Sequence, residues 1–349
     1  MLYFFIAALL ILADLWLLGC MSVQKDFSQY IFQEYQEGTV AETAFDSMME
    51  SDAKDIFRTA AVWKEDGTAE AVAQSTGKKQ KLTSYQVKGQ PEALFGRTLY
   101  AGRYFQSGET SVCLLDQESA RTLFGSGKAV GSKIILNGNS CQVTGILSGD
   151  RPVCIVPAGK GTMFDGIAVC RKKPEQSVKT SIGALEVYFG SAQGIIDGQF
   201  YDSIGRVLFS LNLAVLFFAV CVISGKCGRA GLPLEKWHKK RLFLLIGGIL
   251  SLVILVQGIR YSGLGRDYLP TYWSDFEFYG SLWKEKAAAA AQFLAHQEFW
   301  HEQQMRKNWM LSVWGNLEVT VVQIVGTIIY LVGTRKELRM RNSFTGDQR

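Results

Sequence analysis

Four apolar runs constrain this chain more than any other feature: Leu2–Leu18, Val207–Ile223, Leu242–Ile259 and 309–332. An α-helix needs about 20 mostly apolar residues to cross a hydrocarbon core, and each run is near that length. The runs predict four transmembrane helices. The second and third are the most uniformly apolar. The first is broken by Asp14, the second carries Asn212, and the fourth carries Asn316, Glu318 and Gln323. Asp14, Asn212 and Glu318 are the candidate intramembrane polar residues, because such groups usually face a bundle interior or a cavity and can mark a pathway. A plainer reading puts Glu318 near the interface and pairs Asp14 with a neighbouring polar group.

The first run admits a second reading as a signal peptide, and Leu17-Leu18-Gly19-Cys20 resembles a lipoprotein cleavage box with Cys20 as the lipidated residue. No Lys or Arg precedes the run and Asp14 interrupts it, both of which favour an uncleaved helix. Basic residues orient the spans. Lys226, Arg229, Lys236, Lys239, Lys240 and Arg241 lie between runs two and three, against Glu235. Arg335, Lys336, Arg339 and Arg341 follow run four, against Glu337. Both segments read as cytoplasmic. Both termini are then inside, and the long segment 23–205 is extracytoplasmic.

The expected layout is helix 1 over 1–22, an external domain over 23–205, helix 2 over 206–224 and a cytoplasmic basic loop over 225–241. Helix 3 follows over 242–259, then an external loop with an interfacial helix over 260–308, helix 4 over 309–333 and a cytoplasmic tail over 334–349. A hydrophobic content of 48% fits such a mixture of bilayer segments and a water-exposed domain.

Segment 23–205 is patterned as a folded α+β domain. Phe45–Phe57 and Glu118–Phe124 have helical spacing, whereas Thr83–Val87, Ser111–Leu115, Lys133–Leu136, Cys141–Leu147, Pro152–Pro157 and Gly166–Arg171 read as strands. Asn137-Gly138 is a hairpin signal, since both residues tolerate positive φ. Ile182–Gly190 fits either state. In the later external segment, Tyr268, Tyr272, Trp273, Phe276, Phe278 and Tyr279 form an aromatic cluster before a helix over 281–308. Aromatics of this kind suit a membrane interface.

Several function classes fail on chemistry. A phosphate loop needs G-x-x-x-x-G-K-[ST], its hydroxyl holding Mg²⁺. Here Gly127-Lys128 is followed by Ala129, and position 122 is Thr. His301-Glu302 opens like a zinc-protease motif, but Met305 stands where the second His belongs, and His296 is off that face. No Ser or Cys has the surroundings of a nucleophile, so no enzyme activity, cofactor or metal is expected. A net charge of +5 is too small to imply nucleic-acid binding. Seven Cys are no disulfide scaffold. Cys113, Cys141, Cys154 and Cys170 share one domain, where one bridge and free buried thiols are both open.

One span, a large external domain and three further spans resembles the layout of MacB-like, FtsX-type ABC transporter permeases. Within the domain, Gly96-Arg97-Thr98-Leu99 followed by Gly102-Arg103-Tyr104-Phe105 resembles the family's entry motif. Ser111–Leu115 with Ala120, Leu123, Phe124 and Gly125 resembles its strand–helix unit ending in LFG. Val130–Ile134, Asn137-Gly138 and Gln142–Leu147 resemble its hairpin, and Val153–Pro157 its next strand. The resemblance implies a permease subunit working as a homo- or heterodimer, with ATP hydrolysed by a separate ABC ATPase subunit. Lys236, Lys239, Lys240 and Arg241 are the candidate ATPase-docking residues. The family's coupling helix after span two is not matched by GKCGRAGLPLEKWHKKR, where Gly231 and Pro233 disfavour a continuous helix. A regulator that kept the external fold and lost ATPase coupling is the alternative this departure suggests.

Overall fold

The computed structural model describes residues 12–19, 27–95, 99–126, 129–149, 151–174, 176–227, 235–261, 272, 277–295 and 300–346. Most of the first predicted span, Gly96-Arg97-Thr98, Lys128, Gly231, Pro233, His296 and most of the aromatic cluster fall outside them, as does Cys20. The chain divides into two compact units. One comprises Met1–Asp26, Phe200–Leu264 and Lys307–Arg349; the other comprises Phe27–Gln199 and Gly265–Arg306.

The second unit is an α+β domain on a ten-stranded mixed sheet. Its strands are β1 (Tyr30–Glu34), β3 (Phe57–Ala73), β4 (Lys79–Gly89), β5 (Leu99–Gly102), β6 (Val112–Asp116), β7 (Lys133–Leu136), β8 (Asn139–Leu147), β9 (Val153–Pro157), β11 (Gly166–Arg171) and β12 (Gly194–Asp197). The order is β12-β1-β11-β3-β4-β9-β6-β8-β5, with β7 bridging β3 and β8; β2 (Val40–Ala41) and β10 (Met163–Phe164) form a separate pair. Its helices include α2 (Glu42–Glu50), α3 (Glu92–Phe95), α4 (Gln117–Phe124) and α5 (Val178–Phe189), so the ambiguous 182–190 stretch is helical. Phe57, expected to close a helix, instead opens β3.

Alternation explains the central strands. Successive β3 residues point to opposite faces, so Ala61 and Trp63 join one core with Tyr30, Phe32 and Leu114, while Ala60 and Val62 join another with Ile31, Phe45 and Leu185. β3 is therefore covered on both faces. Beyond a register shift between Glu65 and Gly67, its far half contributes Ala69, Ala71 and Ala73 to a third core with Leu123, Ile134 and Val143. Burying each large apolar side chain is worth about 1.5–3 kcal/mol. Asn137 and Gly138 have φ of 48° and 84°, and Leu136 pairs with Asn139 around them, as a two-residue hairpin turn requires. The chain's first and last strands in this unit, β1 and β12, pair antiparallel, Ile31 opposite Asp197. Helix α8 (Phe278–Ala295) packs against β12 and leaves Tyr279 and Trp283 exposed.

The first unit is helical. Residues 12–19 form helix α1, followed by α6 (Gly198–Cys227), α7 (Glu235–Tyr261) and α9 (Trp300–Gly346). Among the described residues two stretches are long and apolar enough to cross a membrane, Gly198–Val222 and Met305–Gly333; Leu245–Gly258 is a shorter apolar helix. Helix α6 starts eight residues before the expected 206, and the external helix expected over 281–308 takes in most of α8 and the start of α9. Small residues set the packing. A Cβ on Gly247 would lie 2.9 Å from Cys221 Sγ, and one on Gly258 would overlap Ser210, so α6 and α7 run antiparallel in close contact. Tyr201 meets Trp309 edge-to-face at 5.1 Å, and Gly205 faces Ser312, so α6 and α9 run parallel.

Candidate functional site

The polar residues of the apolar runs gather inside the helical unit. Asn212 Nδ2 donates to Asp14 Oδ1 at 2.8 Å, and both side chains are buried. Two of the three candidate polar residues are thus direct partners, 198 positions apart in sequence. Glu318 does not join them; it is exposed. Helical spacing explains why: the buried polar positions of α9 are Ser312, Asn316 and Gln323, and Glu318 lies two residues, about 200°, from Asn316. The outward side of the same helix carries exposed Val321, Val322, Ile324, Val325, Ile328 and Ile329. A polar interior under an apolar exterior is the reverse of a water-soluble bundle. Asn316 and Gln323, polar residues of the fourth run that were not among the candidates, are the ones the structure buries, and their seven-residue spacing is the signal for them.

Lys236, Lys239, Lys240 and Arg241 stand on the first two turns of α7. Helix α7 is described from Glu235, so these cations lie on a helix and not in the basic loop expected to reach residue 241.

In the sheet domain the motif residues are structural. Asp116 ends β6 and caps α4: its Oδ2 accepts from Glu118 N at 2.9 Å and Ser119 N at 3.0 Å, while Oδ1 accepts from Val153 N at 3.0 Å. Burial pushes this carboxyl above its ordinary value, opposed by those hydrogen bonds. Gly125 closes α4 with φ 76°, its N–H bonded to Arg121 O, so the first glycine of the stretch that imitates a phosphate loop is a helix C-cap. Arg103 makes a bidentate pair with Glu109, at 2.9 and 2.5 Å, and Gln106 N donates to Glu109 Oε2 at 2.8 Å. The Arg103 guanidinium foremost, with that amide, lowers the Glu109 carboxyl to about 2.

Cys113, Cys141, Cys154 and Cys170 are buried free thiols. A hydrogen bond with Cys113, then burial, drives the Cys154 thiol upward, and burial does the same to Cys141. Neither is a nucleophile in this state. An open cavity of about 750 Å³ lies where β3 shifts register, lined by Glu34, Tyr35, Trp63, Glu65, Asp66 and Asp165 among others. Asp165 is committed to the backbone, its Oδ1 accepting from Gly38 N and its Oδ2 from Glu65 N. The remaining carboxylates make this cavity repel anions such as phosphate. It is not legible in the sequence because its residues come from five separate segments.

The chain thus combines a mixed-sheet domain with long apolar helices. Residues 18–182 match the family model of the MacB-like periplasmic core domain. The sheet domain is therefore of the MacB-like periplasmic core type. It is similar to the periplasmic region of MacB from Actinobacillus actinomycetemcomitans, with 14% identity over 49% of this chain and 89% of that one, at a TM-score of 0.41. It is also similar to the extracellular domain of the ABC-type transporter YknZ from Gram-positive bacteria, with 13% identity over 48% of this chain and 96% of that one, at a TM-score of 0.37. No curated protein matches the chain.

Proposed function

We propose that this chain is the membrane subunit of an ABC-type export or mechanotransmission complex, with ATP hydrolysed by separate ATPase subunits and no catalysis of its own. The observation that carries the reading is a MacB-like periplasmic core domain over 18–182 followed by long apolar helices. Four spans complete it: the run at the N-terminus, α6, α7 and α9. The antiparallel contact of α6 with α7 and the parallel contact of α6 with α9 are what alternating crossings require. The basic residues over 226–241 and at 335–341, in the last turns of α9, favour a cytoplasmic place for both termini and the 225–241 segment, with the sheet domain outside.

Lys236, Lys239, Lys240 and Arg241 then form the cytoplasmic start of α7. Cations at a helix N-terminus oppose its dipole, a cost of a few tenths of a kcal/mol each that an acidic docking surface on an ATPase offsets. The permease works as a homo- or heterodimer in the bilayer. ATPase closure moves the spans, and β1 and β12, paired at the domain's two chain ends, carry that movement into the sheet.

The test is native purification of the full chain. Recovery of an ATPase whose turnover rises with the permease, lost on deleting 225–241, supports the reading. Recovery of stable partners with no ATPase among them favours the second reading, a membrane regulator without ATPase coupling. The departure of GKCGRAGLPLEKWHKKR, with its Gly231 and Pro233, from the family's coupling helix is the observation behind that alternative.

A further inference from the structure

The bond between Asn212 and Asp14 leaves behind atoms of one chemical kind. A carboxylate only accepts, so the Asn212 amide nitrogen must face Asp14, and its oxygen is the atom left over. Asn316 Nδ2 donates to the Ser312 carbonyl at 2.7 Å, which likewise leaves the Asn316 oxygen. Asp14 Oδ2, Asn212 Oδ1, Asn316 Oδ1 and Ser312 Oγ are all buried with no hydrogen-bond partner, and Asn212, Ser312 and Asn316 are within 1% of complete burial. All four are oxygens.

Their levels along the helices are close. Gly205 faces Ser312, and a Cβ on Gly315 would lie 2.7 Å from Leu17 Cδ2. Counting from Ser312 at about 1.5 Å per residue, Asn316 lies about 6 Å along, Asp14 about 9 Å and Asn212 about 10 Å. The three side chains fall within about one helical turn, on three helices that pack together.

Orphaned acceptors in an apolar interior call for a positive or donating partner. A proton on Asp14 supplies one donor and answers one further oxygen. A metal ion coordinated by several oxygens answers them together, and carboxylate and amide oxygens are the donors that hard cations prefer. One carboxylate balances one charge, so a monovalent ion leaves the site neutral, whereas a divalent ion leaves net charge in the apolar interior. We propose that Asp14, Asn212 and Asn316 hold one monovalent metal cation of the sodium or potassium class inside the helical unit. The site rests on the membrane placement above but not on ATPase coupling.

The test uses full-length protein in detergent micelles, melted in sodium, potassium or choline chloride at constant ionic strength. The expected result is a saturable rise in Tm with sodium or potassium over choline, absent in Asp14→Asn. Asn316→Leu keeps the Asp14–Asn212 bond and removes one oxygen, so its half-saturation concentration rises at least tenfold while its Tm in choline stays within a few degrees. Glu318→Gln, on the other side of α9, responds as wild type. A flat response to both metal ions overturns the proposal, as does an equal response in Asp14→Asn and Asn316→Leu, or a rise reproduced by acidification alone. Carbonate extraction of the chain from membranes tests the membrane placement separately.

Discussion

Gly102 and Gly145 face each other across strands β5 and β8, and Gly145 helps close the space into which Gly102 would put a side chain. Gly102 has φ 82°, and a Cβ there would run into Thr144 O and lie 2.8 Å from Gly145 Cα; one on Gly145 would lie 2.6 Å from Arg103 O. Gly102 opens the family-like Gly102-Arg103-Tyr104-Phe105 stretch, so that motif is explained by backbone approach. Gly102→Ala adds strain of about 1–3 kcal/mol for the left-handed backbone to about 1–3 kcal/mol for overpacking. A loss near 3 kcal/mol in urea unfolding of the sheet domain is expected, and a change under 1 kcal/mol would show that the strands separate freely.

Asp116 joins a strand, a helix and a neighbouring strand through three backbone N–H groups. Asp116→Ala removes the α4 cap, about 1 kcal/mol, and leaves Val153 N without its acceptor, about 1–3 kcal/mol. Asp116→Asn keeps an acceptor for the cap and is expected to cost less than half as much. Denaturant midpoints of the two variants, compared at equal m-values, check the order.

The loop over 103–109 responds to acid. Glu109 is depressed from 4.5 to about 2 by Arg103, so its contribution to order is complete above about 4.5 and is lost as pH falls toward about 2. Amide exchange of Gln106, whose N–H donates to Glu109, accelerates across that window relative to Val143 in the core. In Glu109→Gln the acceleration disappears because exchange is already fast at neutral pH.

Removing one partner of the Asp14–Asn212 bond is worse than removing both. Asn212→Leu leaves both Asp14 oxygens buried and unmet, whereas the Asp14→Leu, Asn212→Leu pair leaves neither. Interhelical hydrogen bonds between spans measure about 0.6–1.7 kcal/mol. A double-mutant cycle on thermal unfolding in micelles is expected to return a coupling in that range, and a coupling of zero would separate α1 from α6.

A cysteine test follows from the free thiols. Cys113, Cys141 and Cys154 share one core and are buried, so a maleimide reagent leaves them unlabelled in the native protein and labels them in urea. Oxidant without denaturant forms no bridge among them, read by intact mass.

Residues 133–136 and 166–171 were legible as strands because each is short, β-branched and bounded by turn residues, and Asn137-Gly138 announced its turn through positive φ. The 17-residue β3 was not legible. Its alanines have weak strand preference, Lys64-Glu65-Asp66-Gly67 interrupts any alternation, and burial on both faces removes the polar period that marks a half-buried strand. Asp14 and Asn212 were visible as polar residues in apolar runs, since local composition suffices for that. Sequence alone thus determined the apolar runs, the hairpin and the motif order of the sheet domain, all properties of neighbours along the chain. Only the tertiary structure decided that Asp14 meets Asn212, that Glu318 faces outward, and that Gly102 needs no side chain because Gly145 lies against it. Those facts depend on which helix faces and strand registers meet, and contacts of that range leave no trace in a local period.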